Sequence, residues 1–216
     1  MAIDDLTLNV TTICNLALSH LGQKRLASGL ATDLENNNPS AIAIDTHWTA
    51  SRNDVFSEFK WPFATVIEPM QVQVDVNDTM YPEWLYFYVY TENAATVWNV
   101  FDPSTVEQKE EQEFEVVYRP ALNKKVICCN ITNTSSAFNE YTYNVTDTLL
   151  WSPKFIMAFS YRLAAAIAVT LTGSKEKALE LMTIYNAFIH EAKRIAHVQK
   201  KKKPAQTAGI VNARGA

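Results

Sequence analysis

The period of the apolar residues changes twice along this chain, and that change limits the available folds more than any single motif does. Residues 39–59 carry Ile44, Trp48, Val55 and Phe59 at helical spacing, and residues 153–195 carry two longer stripes of the same kind. Between them lies a strongly alternating run. There Trp84, Tyr86, Tyr88 and Tyr90 fall on one side, and Leu85, Phe87 and Val89 on the other. A period near 3.6 lines one face of a helix, while a period of 2 lines one face of a strand. The chain is therefore expected to be α+β. Its N- and C-terminal helices should form a helical bundle (1–63 and 151–198), with an inserted antiparallel β subdomain (64–150) and a basic tail (199–216).

Punctuation residues set the expected element ends. A first helix over 12–21 has Thr11 or Thr12 as its cap, a face formed by Ile13, Leu16, Ala17 and His20, and Gly22 as its stop. A polar loop follows, and Pro39 behind Asn38 opens the second helix, because proline is best tolerated in a first turn. Trp61-Pro62 ends that helix, since proline disfavours helical geometry in the residue before it. Residues 64–76 alternate weakly, and Pro69 confines that strand to an edge or a bulge. The Tyr81–Tyr90 run and segments 95–101, 113–119, 125–132 and 139–146 read as further short strands, giving an antiparallel meander or a small barrel. Ser152-Pro153 reopens helical spacing. Residues 153–172 are apolar on nearly every side, which places this helix at the centre of a bundle. Gly173-Ser174 separates it from a last helix whose stripe runs through Leu181, Tyr185, Ile189 and Ala192.

Charge is distributed unevenly. Residues 199–216 hold five basic residues and no acid, which leaves 14 basic against 23 acidic residues, or −9, in the rest of the chain. An acidic body repels nucleic acid, whereas a short basic tail can meet phosphates, meet an acidic protein groove, or simply stay solvated. Residues 1–10 have neither the cationic nor the apolar segment of a secretory leader. The most apolar run, 155–171, is broken by Arg162 and reads as a buried helix, so no membrane partner is expected. Cys14, Cys128 and Cys129 contain no CxxC pair, and two of them are adjacent, so reduced and packed thiols are expected.

Catalytic and cofactor signatures are missing from the sequence. GxSxG, GxxxxGK[ST] and GxGxxG do not occur. His190 and His197 lie two helical turns apart, but two ligands are too few for zinc, and Glu191 does not complete an HExxH pattern. Glu110-Glu111 sits in a charged run for which solvation is the ordinary reading. The run 81–90 contains no Lys or Arg to accompany base stacking, so it reads as core or subunit interface. No cofactor or metal is expected.

The residues that identify a family are specific. Ile13-Cys14-Asn15-Leu16-Ala17-Leu18 with Leu21-Gly22 opens the chain, and Phe59-Lys60-Trp61-Pro62-Phe63-Ala64 follows the second helix. Pro82, Trp84, Tyr86 and Tyr88 come next, then Ser152-Pro153 with Phe155, and finally the closing helix through Tyr185 and Ala192. With these residues most of the chain resembles the head–tail adaptor proteins of short-tailed bacteriophages, the tail tubular protein A type. It departs from the family at Thr91-Glu92-Asn93-Ala94, where a proline–acid turn is common.

The resemblance implies a non-enzymatic structural virion protein, assembled in the host cytoplasm into a ring of twelve copies. Such a ring sits between the portal protein and the tail nozzle protein, and genome DNA passes through its lumen without sequence-specific binding. On this reading Lys200, Lys201, Lys202 and Lys203 are candidates for gripping the portal or a neighbouring adaptor. Trp84, Tyr86 and Tyr88 are candidates for ring or nozzle contacts. Two rival classes stay open from the sequence: a virion-associated peptidoglycan hydrolase, and a DNA-binding module using the lysine tail.

Overall fold

A computed structural model describes residues 9–70, 83–102, 112–131 and 137–199 of the chain, with side chains to residue 195. Helix and sheet are both present and largely segregated along the sequence, so the chain is α+β. Five α-helices occur among the described residues: α1 (Val10–His20), α2 (Leu30–Glu35), α3 (Pro39–Glu58), α4 (Pro153–Thr172) and α5 (Lys175–Gln199). The same residues form six strands: β1 (Thr65–Pro69), β2 (Tyr86–Val89), β3 (Ala94–Phe101), β4 (Phe114–Arg119), β5 (Lys124–Cys129) and β6 (Phe138–Tyr143).

The helix starts follow capping chemistry. Asn38 and Ser152 cap α3 and α4 by accepting from the backbone N–H of Ser40 and Phe155, each with proline in the first turn. For α1 the cap is Asn9, whose side chain accepts from the Thr12 N–H at 2.9 Å, two or three residues earlier than the threonines suggested. The expected polar loop contains the short helix α2. Gly173 ends α4 with φ +70°, a left-handed conformation that glycine adopts without a Cβ penalty, and its N–H donates to the Val169 carbonyl.

Four helices contribute to one apolar core. Ile13 and Leu18 of α1, Ile44 and Phe56 of α3, Phe155, Phe159, Leu163 and Ile167 of α4, and Leu181, Tyr185 and Ile189 of α5 are at most 2% exposed. Helix α4 contacts α1, α3 and α5, and this central position explains its lack of a polar face. Averaged over 18 residues its mean hydropathy is 1.6, so by length and composition α4 could cross a membrane, although Arg162 interrupts its apolar run. Half of that window is covered inside the chain, and Arg162 Nε donates to Asp54 Oδ2 of α3 at 2.6 Å.

The strands form two three-stranded antiparallel sheets, ordered β1-β6-β3 and β2-β5-β4, where sequence spacing pointed to a meander or barrel. Among the described residues, only β4 and β5 pair as a tight hairpin. It turns at Asn123, which has φ 51°, a value asparagine tolerates better than most residues. The first strand, β1, instead pairs with the last, with Thr65 opposite Thr142. This pairing brings together the points where the chain enters and leaves the sheets. Tyr88, Ile127 and Cys129 of one sheet share an apolar cluster with Val97, Val100 and Tyr141 of the other.

Candidate functional site

The segment Trp61-Pro62-Phe63-Ala64 fixes the joint between helices and sheets. Helix α3 ends at Phe59 in extended geometry, so its last carbonyls need other partners. The Trp61 indole N–H supplies one by donating to the Val55 carbonyl at 2.8 Å, with Trp61 only 2% exposed. The second crossing is built the same way, because the Trp151 indole N–H donates to the Val145 carbonyl at 3.0 Å. Both rings pack edge-on against Phe155, at 5.0 and 4.7 Å between centroids. One aromatic cluster therefore grips the chain at each crossing. Polar links surround it: Lys60 pairs with Glu140 of β6, the Asn144 amide donates to Asn53 Oδ1 at 2.7 Å, and the Thr96 hydroxyl donates to the Ser57 carbonyl at 3.3 Å.

The aromatic strand is placed differently from the expected interface. Tyr88 is 1% exposed and lies in the cluster shared by the two sheets; burial, with Cys129 and Tyr86 beside it, pushes its phenol up to about 12. It therefore offers no surface to a partner. Tyr86 packs on the same cluster but stays partly exposed. Trp84 lies against the other face, beside Phe87, Val126 and Cys128, and its indole N–H donates to Glu115 Oε2 at 3.2 Å. Arg119 sits 4.8 Å above the Phe87 ring on that face. Both faces of β2 are thus covered, as its two bulky sides require. Lys200, Lys201, Lys202 and Lys203 lie outside the described residues.

The exposed apolar side chains are elsewhere. Leu85 (66%), Tyr118 (55%) and Val116 (39%) belong to the β2-β5-β4 sheet region. On the helical side, Leu149 (66%) and Leu150 (62%) precede α4, while Val169 (45%) and Leu179 (68%) lie around its far end. The sequence held one usable signal for these, the unbroken doublet Leu149-Leu150 beside Asp147, which fits neither flanking period.

Among the described residues, the nearest approach to catalytic geometry is His20 and Ser160, with Nε2 and Oγ 3.1 Å apart. Ser160 Oγ also lies 2.8 Å from the Met157 carbonyl, its i−3 partner within α4, to which the hydroxyl can donate. Ser160 is also fully buried, and His20 is stacked 3.9 Å from Tyr161. Burial, aided by Lys177, lowers the His20 pKa below its ordinary value. The pair works as a packing joint between α1 and α4. The Tyr185 hydroxyl donates to Glu58, and the Tyr141 hydroxyl donates to Glu68 Oε1 at 2.9 Å; burial first, then these carboxylates, raises both phenols.

A cleft of about 690 Å³ opens at one end of the two sheets, lined by Glu68, Glu92, Lys124, Lys125, Tyr90 and Tyr143 among others. Among the described residues no group of three or more His, Cys, Asp or Glu side chains could hold a metal. Burial raises all three thiols, Cys14 to about 12 and Cys128 to about 11, so at neutral pH they are protonated packing groups. The chain matches no protein-family model and no curated protein.

Proposed function

We propose that this chain is a structural virion subunit, a head–tail adaptor that joins portal to tail nozzle in a ring of twelve copies. In this reading 1–63 and 151–198 form a helical bundle, 64–150 is a β insertion, and 199–216 is a tail that grips the portal or a neighbour. The observation that carries the reading is the pair of aromatic crossings at Trp61 and Trp151. They hold a β unit at a fixed attitude to the helices, with exposed apolar side chains on both. A closed ring needs two different complementary patches on every copy, and a rigid two-part subunit provides them.

The charge distribution supports a conduit. Outside the tail the chain carries −9, which keeps passing DNA from adhering to the wall. The subunit needs no catalytic residue or cofactor for this work, and it is assembled in the host cytoplasm before joining the virion. Mass measurement of the full chain, alone and with the portal protein, tests the reading. Closed assemblies of defined copy number are expected. A chain that stays monomeric with portal present, or that reproducibly lyses purified cell walls, would overturn it.

A further inference from the structure

We infer that a cleft between β3 and β4 receives a basic peptide segment, its Lys or Arg side chains set against two tryptophans and two glutamates. The site stands whether or not the chain forms a ring. It arises where two strands part. The Gln112 N–H donates to the Val100 carbonyl at 3.1 Å, in an isolated antiparallel bridge that brings the chain before β4 onto the edge of β3. Beyond the bridge, β3 follows β6 and β4 follows β5 into different sheets. The gap between them has a volume of about 610 Å³. Trp98 and Asn99 line it from β3, Glu113 and Glu115 from the β4 side, and Trp84 lies beside Glu115.

The surface of this cleft suits a cation. Trp98 Nε1 donates to Thr142 Oγ1 at 2.6 Å and Trp84 Nε1 to Glu115 Oε2 at 3.2 Å, so both indole hydrogens are already engaged. What the rings leave to the cleft is aromatic surface, which attracts cations. Glu113 and Glu115 are exposed and, among the described residues, form no ion pair. No Lys, Arg or His is among the described residues that line the cleft. Two nearby cations are held elsewhere: Lys60 pairs with Glu140, which stands opposite Asn99, and Arg119 sits 4.8 Å above the Phe87 ring.

Asn99 points to a ligand independently of charge. Val97 and Val100 both belong to the cluster between the sheets, so the register shift between Val97 and Asn99 leaves Trp98 and Asn99 together on the opposite side. Asn99 is 7% exposed, yet among the described residues its side-chain amide has no hydrogen-bond partner. Buried amides are ordinarily paired, and this carbonyl oxygen is free to accept from an ammonium or guanidinium. A peptide suits the cleft better than a free ion. The volume exceeds what one ammonium fills, and Lys and Arg carry apolar stems that lie along indole rings. Past the Gln112 bridge, among the described residues, neither β3 nor β4 is paired on the edge that faces the gap, and an extended segment can pair there.

The test titrates the full chain into a dye-labelled, end-blocked Gly-Lys-Gly-Arg-Gly peptide, read by fluorescence anisotropy. It is repeated with Lys200, Lys201, Lys202 and Lys203 changed to Gln, so that the chain's own lysines cannot compete. Saturable binding is expected. Glu113→Gln/Glu115→Gln, at two exposed positions that the fold should tolerate, should weaken it about threefold to thirtyfold, the worth of two exposed charge pairs. Asn99→Leu should weaken it about tenfold while the thermal melt stays unchanged or rises, because the change removes an unpaired buried amide. No binding by either form of the chain, or unchanged binding in either variant, overturns the inference. Displacement of the peptide by spermidine at an equal concentration also overturns it, since the occupant would then be a free polyamine.

Discussion

Replacing Trp61 tests the joint on which the whole arrangement depends. Trp61 is 2% exposed, packs edge-on against Phe59 and Phe155 at 5.0 Å each, and donates to the Val55 carbonyl at 2.8 Å. Trp61→Ala removes both ring contacts and the donor. Buried aromatic truncations of this kind cost about 3–5 kcal/mol. For a chain of this length, each kcal/mol corresponds to about 2–4 °C in Tm, so the variant should melt about 6–20 °C below wild type. Trp61→Phe keeps a ring but leaves the Val55 carbonyl without its donor, which costs about 1–3 kcal/mol, or roughly 2–12 °C. Differential scanning calorimetry reads both values, and the order wild type, Phe, Ala is part of the prediction. If Trp61→Ala melted within about 2 °C of wild type, the joint would not hold as described.

Two further predictions concern titratable groups that packing partly or wholly buries. His20 has its folded pKa lowered from 6.5, so the folded chain binds its proton less readily than the unfolded chain does. The stability that this contributes is complete above about pH 6.5 and is lost as pH falls through that value. Urea midpoints should therefore drop between about pH 7.5 and about pH 5 in wild type, and drop less in His20→Gln; equal slopes would refute the assignment. The three cysteines are fully buried and their thiols are raised. At about pH 8 an aromatic disulfide reagent should leave the native chain unlabelled and label all three thiols in urea. Rapid native labelling would mean that the β2-β5-β4 sheet, or α1, opens readily.

The fold was readable in the sequence wherever one local rule decided it. Asn38-Pro39 and Ser152-Pro153 open helices as capping chemistry requires, Trp61-Pro62 closes one, and Gly173 supplies the left-handed stop of α4. The periodic stripes of α4 and α5 named core residues correctly, because a helix buries the side that its apolar residues share. Asn9 was the exception among caps. Thr11 and Thr12 are also cap formers, ranked somewhat below asparagine, and choosing between them and Asn9 requires knowing which carbonyl begins the helix.

The candidate surfaces were much less readable. An alternating strand shows that two faces exist, but what covers each face is decided by residues far away in sequence. Tyr88 illustrates this: Tyr141 and Val97 from the other sheet bury it, and a residue expected to meet a partner belongs to the core. The pairing of β1 with β6 spans the whole insertion, so no local signal announces it. The same holds for Trp61 and Trp151, which meet on Phe155 although 90 positions separate them. The sequence by itself determined the type of most elements, the proline- and glycine-marked helix ends, and the order of helical flanks around a β middle, because these follow from φ, capping and period within a few residues. Tertiary structure alone decided strand order, which aromatics are buried, and which leucines face outward. Those outcomes depend on contacts between segments that only folding brings together.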